Sequence, residues 1–475
     1  MATLGEKELD NYNLVGYMLF SMKTLHEKRK TRYEVEVAGN GKVTAHGGML
    51  LIDQMARELG LWKKLSGLEA IDPRERKGAG YEPLALVSQL IFTLVSGGCS
   101  LADAERLGED PVLLESVGLS KAADQSTLSV WLGNATEEGI LAMCQANSWL
   151  VREILARCRP NRILHAGELE GWFDETEIEV YGKHIEGARY NHHGDLALSW
   201  QTMWIGTLLL DQELGGFRDV AQLQRAFLDE HADVWEGRKC HFYADSGSSE
   251  APLLQHLSEA GFSTWSVSYN RWMPKLEELA GALPENAWQD PAERNGTTET
   301  YAWVKHAPGE LAAPRRFAAC RWKPAGEMLW HYAFTACESE SARSPREVFE
   351  RHRLKGDFER HFSEVLGDLD LHHPPCLALK ANRMFYAIAS LAHNLLQALK
   401  LLRLGDEAQT WRNRTIIRNV ITVPATQVSH ANRLRLKVCV PAGLLRWWRL
   451  FVQNHLPKRK RGERPVEDVA PPPSD

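Results

Sequence analysis

The stretch GWFDETEIEVYG, residues 171–182, places an aspartate between an apolar aromatic run and a segment of alternating polarity. The alternation predicts a β-strand with one buried face. Aspartate is unfavourable within strands, so Asp174 serves either a turn or a chemical site at this point. The stretch alone leaves both possibilities open.

Strand-like and helix-like patterns alternate around this stretch, from about residue 160 to 270. Residues 196–210 are long and apolar, which indicates a strand, and residues 219–235 have helical spacing. A strand, a helix and a strand follow at 240–245, 249–261 and 263–270. Meander strands followed by an α/β crossover predict an α/β fold with an RNase-H-like core.

The chain before this core is mainly helical. Residues 81–95 and 136–157 have helical periodicity. Asp124 or Ser126 can begin a further helix, which belongs either to a helix–turn–helix or to a plain bundle.

The chain after residue 270 first loses and then regains helical character. Short strand-like runs among Pro, Gly and Trp predict a strand-rich insertion at 271–343. Residues 344–369 predict one long helix, with Ser344 as its cap and Pro345 at its first position. Residues 378–402 are apolar around much of the helix circumference, so we expect that helix to be buried.

Composition excludes several classes of protein. The 475 residues are 44% hydrophobic and 25% charged, which is typical of a folded chain with several structural units. The apolar patch at 14–20 is short and follows Glu6, Glu8 and Asp10, so we expect neither an export signal nor a membrane span. Eight cysteines without a CxxC pair argue against a zinc ribbon or a disulfide framework. We expect a cytoplasmic protein.

Positive charge is concentrated near the C-terminus. Between Gln409 and Arg461 there are twelve basic residues and no acidic one, which leaves −18 on the rest of the chain (−6 minus +12). Clustered Lys and Arg gain free energy on phosphates by releasing counterions. The segment therefore indicates a polyanionic partner or, alternatively, a solvated basic face.

Three carboxylates could act together. Asp174 ends the first core strand, and Asp245, 71 residues further on, ends the fourth. Sites assemble at the carboxyl ends of parallel strands. Our third candidate is Glu359, 114 residues after Asp245, on the helix that follows the insertion. The helical positions that share its face are His352, Lys355, Phe362 and Leu366.

Such a carboxylate set suits two Mg²⁺ ions, with Mn²⁺ as a substitute. These ions prefer oxygen ligands and keep positions for water and phosphate. A pair of them can stabilise the attacking and leaving oxygens of a phosphodiester displacement. Taken singly, Asp174 could cap a turn, Asp245 could begin a loop and Glu359 could belong to a surface ion pair.

At these residues the chain resembles the DDE-type insertion-sequence transposases, in particular the bacterial hairpin-forming branch with a strand-rich insertion. The matching stretches are 173–191, 243–247, 352–366 and 378–396, and residues 42–61 and 124–132 are also similar. The resemblance extends from about residue 30 to about 455.

The resemblance implies that Asp174, Asp245 and Glu359 are catalytic metal ligands. It also implies binding to double-stranded DNA at terminal inverted repeats and at the target, as a homodimer on DNA. His352, Lys355 and Leu366 stand where the family has Tyr, Arg and Lys, and Arg351, Arg353 or Arg360 could compensate. The residues expected to contact DNA are His352, Arg353, Lys355, Arg433, Arg435, Lys437, Lys458, Arg459, Lys460 and Arg461.

The family also implies an insertion aromatic that accepts a flipped base, because stacking offsets the cost of unpairing. The candidates are Trp272, Trp288, Trp303, Trp322 and Trp330. Each of them could instead be a packing residue.

Together these patterns divide the chain into six regions. They are a helical DNA-end-binding domain (1–155), the first part of the core (156–270), the insertion (271–343), the second part of the core with the catalytic helix (344–402), a basic DNA-contact and dimerisation segment (403–461) and a disordered tail (462–475). The function that we expect is metal-dependent cleavage of element ends and strand transfer. The alternatives are a catalytically inactive DNA-binding relic and a nuclease that does not join DNA.

Overall fold

The computed structural model describes residues 42–74, 80–182, 184–216, 219–307, 314–430 and 433–455. Within these ranges, the side chains at positions 359, 430, 433, 450 and 453–455 are left out. Lys458, Arg459, Lys460, Arg461 and the tail 462–475 lie outside the described residues. The described residues belong to one compact unit that begins at Lys42.

The part before the core is helical, as predicted. After strand β1 (Val43–Thr44) come helices α1 (Met49–Leu59), α2 (Leu61–Ser66), α3 (Pro83–Val95), α4 (Leu101–Arg106), α5 (Pro111–Val117), α6 (Gln125–Gly133), α7 (Glu137–Arg157) and α8 (Pro160–Ile163). Asp124 begins α6 by accepting a hydrogen bond from the amide of Thr127. Asp124, rather than Ser126, is therefore the cap.

The core contains more strands than the apolar pattern indicated. Its elements are β2 (Leu169–Glu179), β3 (Arg189–Tyr190), β4 (Leu196–Ile205), β5 (Leu208–Gly215), α9 (Val220–Glu230), β6 (Cys240–Ala244), α10 (Ala251–Glu259) and β7 (Thr264–Tyr269). The prediction of a single strand over 196–210 is wrong, because the chain reverses at Gly206. Gly206 has a φ of +56°, which glycine adopts easily. Periodicity does not reveal so tight a turn between two apolar runs.

Strand pairing follows the expected meander and crossover. β5, β4 and β2 pair antiparallel, and β2, β6 and β7 pair parallel. The two parallel connections pass through α9 and α10. The carboxyl ends of β2, β6 and β7 therefore lie at one edge of the sheet.

The insertion extends the same sheet. Its elements are α11 (Met273–Gly281), β8 (Gln289–Arg294), β9 (Thr297–His306), β10 (Arg315–Trp322) and β11 (His331–Cys337). β11 pairs antiparallel with β7, and β10, β9 and β8 follow in order. Core and insertion strands thus form one ten-stranded sheet.

The region after the insertion contains three helices, α12 (Pro345–Arg353), α13 (Lys355–Asp368) and α14 (Leu379–Leu402). Ser344 caps α12 with Pro345 at its first position, as predicted. The prediction of one helix over 344–369 is wrong, since Leu354 divides it. α12 packs on the insertion strands, whereas the Phe362 ring of α13 packs on β4. The two helices therefore pack on different parts of the sheet. α14 is buried along most of its length, as expected.

Aromatic packing holds α13 and α14 against one face of the sheet. Trp172 of β2 stacks on Trp204 of β4 with ring centroids 4.8 Å apart. Phe362 of α13 contacts Trp204 and Trp200, and Tyr386 of α14 meets Trp200 edge-on at 5.2 Å. Burial of such large rings makes this face the main core of the fold.

The C-terminal part adds a small second sheet. Its elements are α15 (Asn413–Ile416), β12 (Ala425–His430), β13 (Arg433–Val438) and α16 (Ala442–His455), and the sheet order is β1, β12, β13. Short helical turns lie at Glu69–Ile71, Leu107–Glu109, Ala232–Val234, Ser246–Ser248, Glu285–Ala287, Asp406–Ala408 and Ile417–Ile421. Within the described residues, no helix has the length and apolarity needed to cross a bilayer.

Candidate active site

Asp174, within β2, and Asp245, directly after β6, each follow a paired residue of two neighbouring parallel strands. Trp172 of β2 pairs with Tyr243 of β6, and each aspartate lies two residues beyond its strand's member of that pair. Residues two apart on a strand point to the same face. Trp172 and Tyr243 both face α13, since Trp172 stacks on Trp204, which contacts Phe362, and the Tyr243 ring lies 5.5 Å from that of Phe358. The register therefore puts both positions on the face of the sheet that α13 covers.

The surroundings of Asp174 hold its carboxylate in place. Its Oδ1 accepts a hydrogen bond from the amide of Glu175 at 2.9 Å. The Nζ atom of Lys355, a residue that is 5% exposed, lies 3.9 Å from the same oxygen. Thr202 of β4 donates its hydroxyl hydrogen bond to the Asp174 carbonyl. Asp174 therefore does not act as the cap of a turn but lies within β2 beside a buried cation.

Asp245 lies where β6 leaves the sheet. Its Oδ1 accepts a hydrogen bond from the amide of Gly247 at 3.0 Å, which begins the helical turn Ser246–Ser248. The side chain is half-buried. Capping and ligation are compatible here, because a carboxylate has more than one lone pair on each of two oxygens.

The third candidate, Glu359, lies in the first turns of α13. Its side chain is outside the described part of the chain. Position 359 is four residues after Lys355, which reaches Asp174, and three before Phe362, which packs on Trp204. Positions with these spacings share a helix face. The backbone therefore presents position 359 on the side of α13 that faces the sheet.

The residues predicted to contact DNA near this helix are engaged within the protein. The ring nitrogens of His352 lie 3.0 Å from Ser266 Oγ and 2.7 Å from Ser268 Oγ. Arg353 donates to Glu299 at 2.8 Å and to the Tyr301 hydroxyl at 3.2 Å. Their contacts with DNA stay predictions.

The residues considered as compensation also have internal partners. Arg351 donates to Glu168 at 2.8 Å and to Glu170 at 2.7 Å. Arg360 is exposed and pairs with Asp357. Leu366, at the position where the resembling family has Lys, is buried in the core. Tertiary packing thus explains why position 366 is apolar in this chain.

Two of the predicted basic side chains lie on an exposed ribbon. Arg435 and Lys437 are exposed, two residues apart on β13, and so share one face of the β12–β13 hairpin. The side chain of Arg433, on the same strand, is outside the described part. We call the face that carries Arg435 and Lys437 the basic ribbon.

The five candidate tryptophans differ in their surroundings. Trp272 is 52% exposed, whereas Trp288 is buried. The guanidinium of Arg321 lies between the rings of Trp288 and Trp330, at 4.4 and 4.2 Å from their centroids. Trp303 lies against Arg316, and Trp322 stacks on His331. Which of them accepts a base stays a prediction.

A second cluster, which the sequence patterns did not indicate, consists of Asp211, Glu230 and His231. Their ligand atoms lie within 4.8 Å of one another, as in a metal site. His231 Nε2 is 2.6 Å from Asp211 Oδ2, and its Nδ1 is 3.3 Å from the guanidinium of Arg152. Asp211 pairs with Met203 on the sheet face opposite Asp174. Because both ring nitrogens of His231 already have partners, we interpret the cluster as structural.

Burial of His352 has a consequence for stability. Burial, reinforced by the nearby Lys355 charge, lowers the pKa of His352 from 6.5 to about 4. The unfolded chain then takes up a proton at higher pH than the folded chain does, so stability present above pH 6.5 is lost as pH falls towards 4. We expect a loss on the order of 3 kcal/mol between pH 7 and 4, which urea unfolding at several pH values would measure. His352→Asn, which can bridge both serines without titrating, should show a smaller loss.

Aligned carboxylates on adjacent parallel strands, with a third acidic position on a covering helix, are typical of metal-dependent phosphodiester chemistry. Comparison with protein families gives a match to the family described as "Transposase DDE domain group 1" over residues 26–444. The chain belongs to this family of DDE transposases. The matched range includes Asp174, Asp245 and Glu359. No curated protein matches the chain significantly.

Proposed function

We propose that the protein cleaves DNA at the inverted-repeat ends of its element and transfers the cleaved strands into target DNA, by cut-and-paste through a hairpin. The observation that supports this proposal best is the register of β2 and β6, which pairs Trp172 with Tyr243, two residues before Asp174 and Asp245, in a chain of the DDE family. Position 359 would complete the carboxylate set.

We also assign the core to the RNase-H-like type. Three antiparallel strands (β5, β4, β2) followed by two parallel strands (β6, β7) support this assignment. The insertion then enters the fold directly after β7. The predicted regions keep their roles in this proposal, with the N-terminal helices, the insertion and the basic segment as DNA-binding parts of a cytoplasmic homodimer.

Mg²⁺, or Mn²⁺ in its place, fits the oxygen ligands that the site offers. Asp174, Asp245 and Glu359 would hold two such ions, and all three are carboxylates. When bound, the ions supply charge stabilisation to the oxygens of the reacting phosphodiester. Glu175 and Gly247 contribute backbone amides that orient the two aspartates, and Lys355 adds a cation beside Asp174 that can bind a DNA phosphate.

The basic ribbon should contribute to DNA affinity without reading sequence. We expect Arg435→Ala/Lys437→Ala to lower the slope of log affinity against log salt by about 1.8, because each lost phosphate contact accounts for about 0.9. Fluorescence anisotropy with labelled duplex DNA at several salt concentrations would measure the slope. Arg238→Ala/Lys239→Ala is the matched control, since these exposed residues directly precede β6, away from the carboxyl end of that strand. An unchanged slope for the ribbon variant would identify a solvated basic face.

The test of the proposed function uses labelled DNA that spans both flanks of the protein's own gene. The purified protein is incubated with Mg²⁺, Mn²⁺ or EDTA, and denaturing gels resolve nicks, hairpins and joined products. We expect metal-dependent nicks at a repeat end, then hairpins and joined products. Cutting without joining would indicate a nuclease, and binding without cutting would indicate an inactive relic.

A further inference from the structure

Three consecutive residues at the end of α12 anchor it to three different parts of the sheet. Arg351 binds Glu168 and Glu170 at the start of β2. The next residue, His352, contacts Ser266 and Ser268 of β7. Arg353 binds Glu299 and Tyr301 of β9, in the insertion. We call Arg351, His352 and Arg353 the anchor triplet.

Helix geometry explains how adjacent residues reach separate strands. Successive side chains on a helix point about 100° apart, so three in a row cover more than half of its circumference. α12 packs across the core strand β7 and the insertion strands β9, β10 and β11. Each side chain of the triplet therefore meets a different strand, which defines the rotation of the last turn of α12 as well as its position.

Each arginine of the triplet binds one buried carboxylate, so these contacts are strongly specified. Glu170 is 1% exposed and Glu299 is 8% exposed. Burial acts to raise the pKa of Glu299, but hydrogen bonds from Tyr301 and Arg353 outweigh it and lower that pKa. Glu299 is thus ionised at neutral pH, and a buried carboxylate retains its cation because losing it leaves an uncompensated charge.

The anchor triplet directly precedes the helix with the candidate catalytic position. Only Leu354 separates Arg353 from Lys355, the first residue of α13. Lys355 lies against Asp174, and position 359 follows one turn later. A shift of the last turn of α12 is therefore transmitted to the start of α13.

We propose that His352 and Arg353 are positioning residues, which fix the start of α13 and so place position 359 relative to Asp174. The ion pair between Arg353 and Glu299 makes this placement depend on the insertion. The inference rests on the proposed function and assigns these two residues a role other than phosphate binding. Arg353 would act through Glu299 and not through DNA.

Removing either partner of the Arg353–Glu299 ion pair distinguishes positioning of α13 from binding of a DNA phosphate. If Arg353 positions α13, Arg353→Gln and Glu299→Gln should each lower the single-turnover cleavage rate at saturating DNA roughly 10- to 100-fold, since small displacements at a reacting centre have effects of this size. The Kd for DNA and its salt dependence should stay unchanged. The double variant should be no slower than either single variant, because both remove the same contact.

The control variant is Glu293→Gln, in the same insertion. The carboxylate of Glu293 is exposed and accepts a hydrogen bond from Thr298, which a glutamine can replace. This variant should cleave at the rate of the unaltered protein. His352→Gln, which keeps hydrogen-bonding groups for the two serines, should retain more cleavage activity than His352→Ala.

A different pattern would overturn the inference. If Arg353 binds a phosphate, Arg353→Gln should weaken DNA binding and lower the salt slope by about 0.9, while Glu299→Gln should leave the cleavage rate unchanged. Additive effects in the double variant would also contradict positioning.

Hydrogen–deuterium exchange tests the inference without catalysis, on the full chain in the absence of DNA. Glu299→Gln should speed amide exchange in residues 355–362 at least several-fold, whereas Glu293→Gln should not. Unchanged exchange would overturn the inference. If the unaltered protein does not cleave DNA at all, the proposed function fails, and the exchange result still decides whether the triplet positions α13.

Discussion

Asp174→Asn and Asp245→Asn should each lower the rate of DNA cleavage by a factor on the order of 10³ or more, because catalytic groups that act as a unit have effects of this size. Each aspartate lies two residues after a member of the Trp172–Tyr243 pair, which joins the adjacent parallel strands β2 and β6. Asparagine keeps the shape and the acceptor for the neighbouring amide but removes the charge that binds a divalent ion. DNA affinity should change little. Single-turnover cleavage assays and anisotropy measure the two properties separately.

The matched control is Glu177→Gln, on the same strand as Asp174 but on the opposite face. Its carboxylate accepts a hydrogen bond from Asn191, which a glutamine can replace. Glu177→Gln should cleave DNA normally. If it lost as much activity as Asp174→Asn, the effect would reflect damage to β2 and not loss of a ligand.

A change of metal preference would identify Asp174 as a ligand directly. Asp174→Cys replaces a hard oxygen by a softer thiolate, which favours Mn²⁺ over Mg²⁺. We expect partial recovery of cleavage in Mn²⁺ and none in Mg²⁺. Full activity of Asp174→Asn in Mg²⁺ would contradict the assignment of Asp174 as a metal ligand.

The ion pairs of Arg351 should contribute strongly to the stability of the folded protein. Arg351→Ala should lower the free energy of unfolding by about 3–5 kcal/mol, since it leaves a buried carboxylate without its cation. Burial raises the pKa of Glu170, and the nearby Arg351 opposes that increase. Without Arg351, Glu170 must either remain charged while it is buried or take up a proton. Urea unfolding monitored by tryptophan fluorescence would measure the loss.

Two further variants define the origin of this effect. Arg360→Ala removes an exposed arginine that pairs with Asp357, and such surface pairs contribute about 0–1 kcal/mol. Adding Glu170→Gln to Arg351→Ala should restore part of the stability, because it removes the uncompensated charge. A loss below about 1 kcal/mol for Arg351→Ala would show that Glu170 does not depend on this arginine.

Local patterns predicted most of the elements that carry the site. Capping and periodicity located α6 and α7, and the alternating order of strands and helices predicted the pairing of β2, β6 and β7. The position of Asp245 directly after a strand could be predicted, but the prediction that Asp174 ends its strand is wrong, because β2 continues to Glu179 through its pairing with β4.

The same patterns missed features that depend on long-range contacts. The turn at Gly206 and the break at Leu354 lie inside stretches whose periodicity continues across them. His352 and Arg353 have the charge and polarity of DNA-binding residues, but their partners are 52 to 86 residues away in the chain. No local signal could identify Ser266 or Glu299 as those partners.

The sequence by itself indicated the family, the order of the core elements and three candidate acidic positions, because these depend on residue type, spacing and strand polarity. Only the tertiary structure decided that Trp172 and Tyr243 pair, two residues before Asp174 and Asp245, that Leu366 is buried and that the anchor triplet joins core and insertion. The physical reason is that a buried polar side chain loses its hydrogen bonds to water. A charge that would be solvated on an isolated helix requires a specific partner once the sheet covers it.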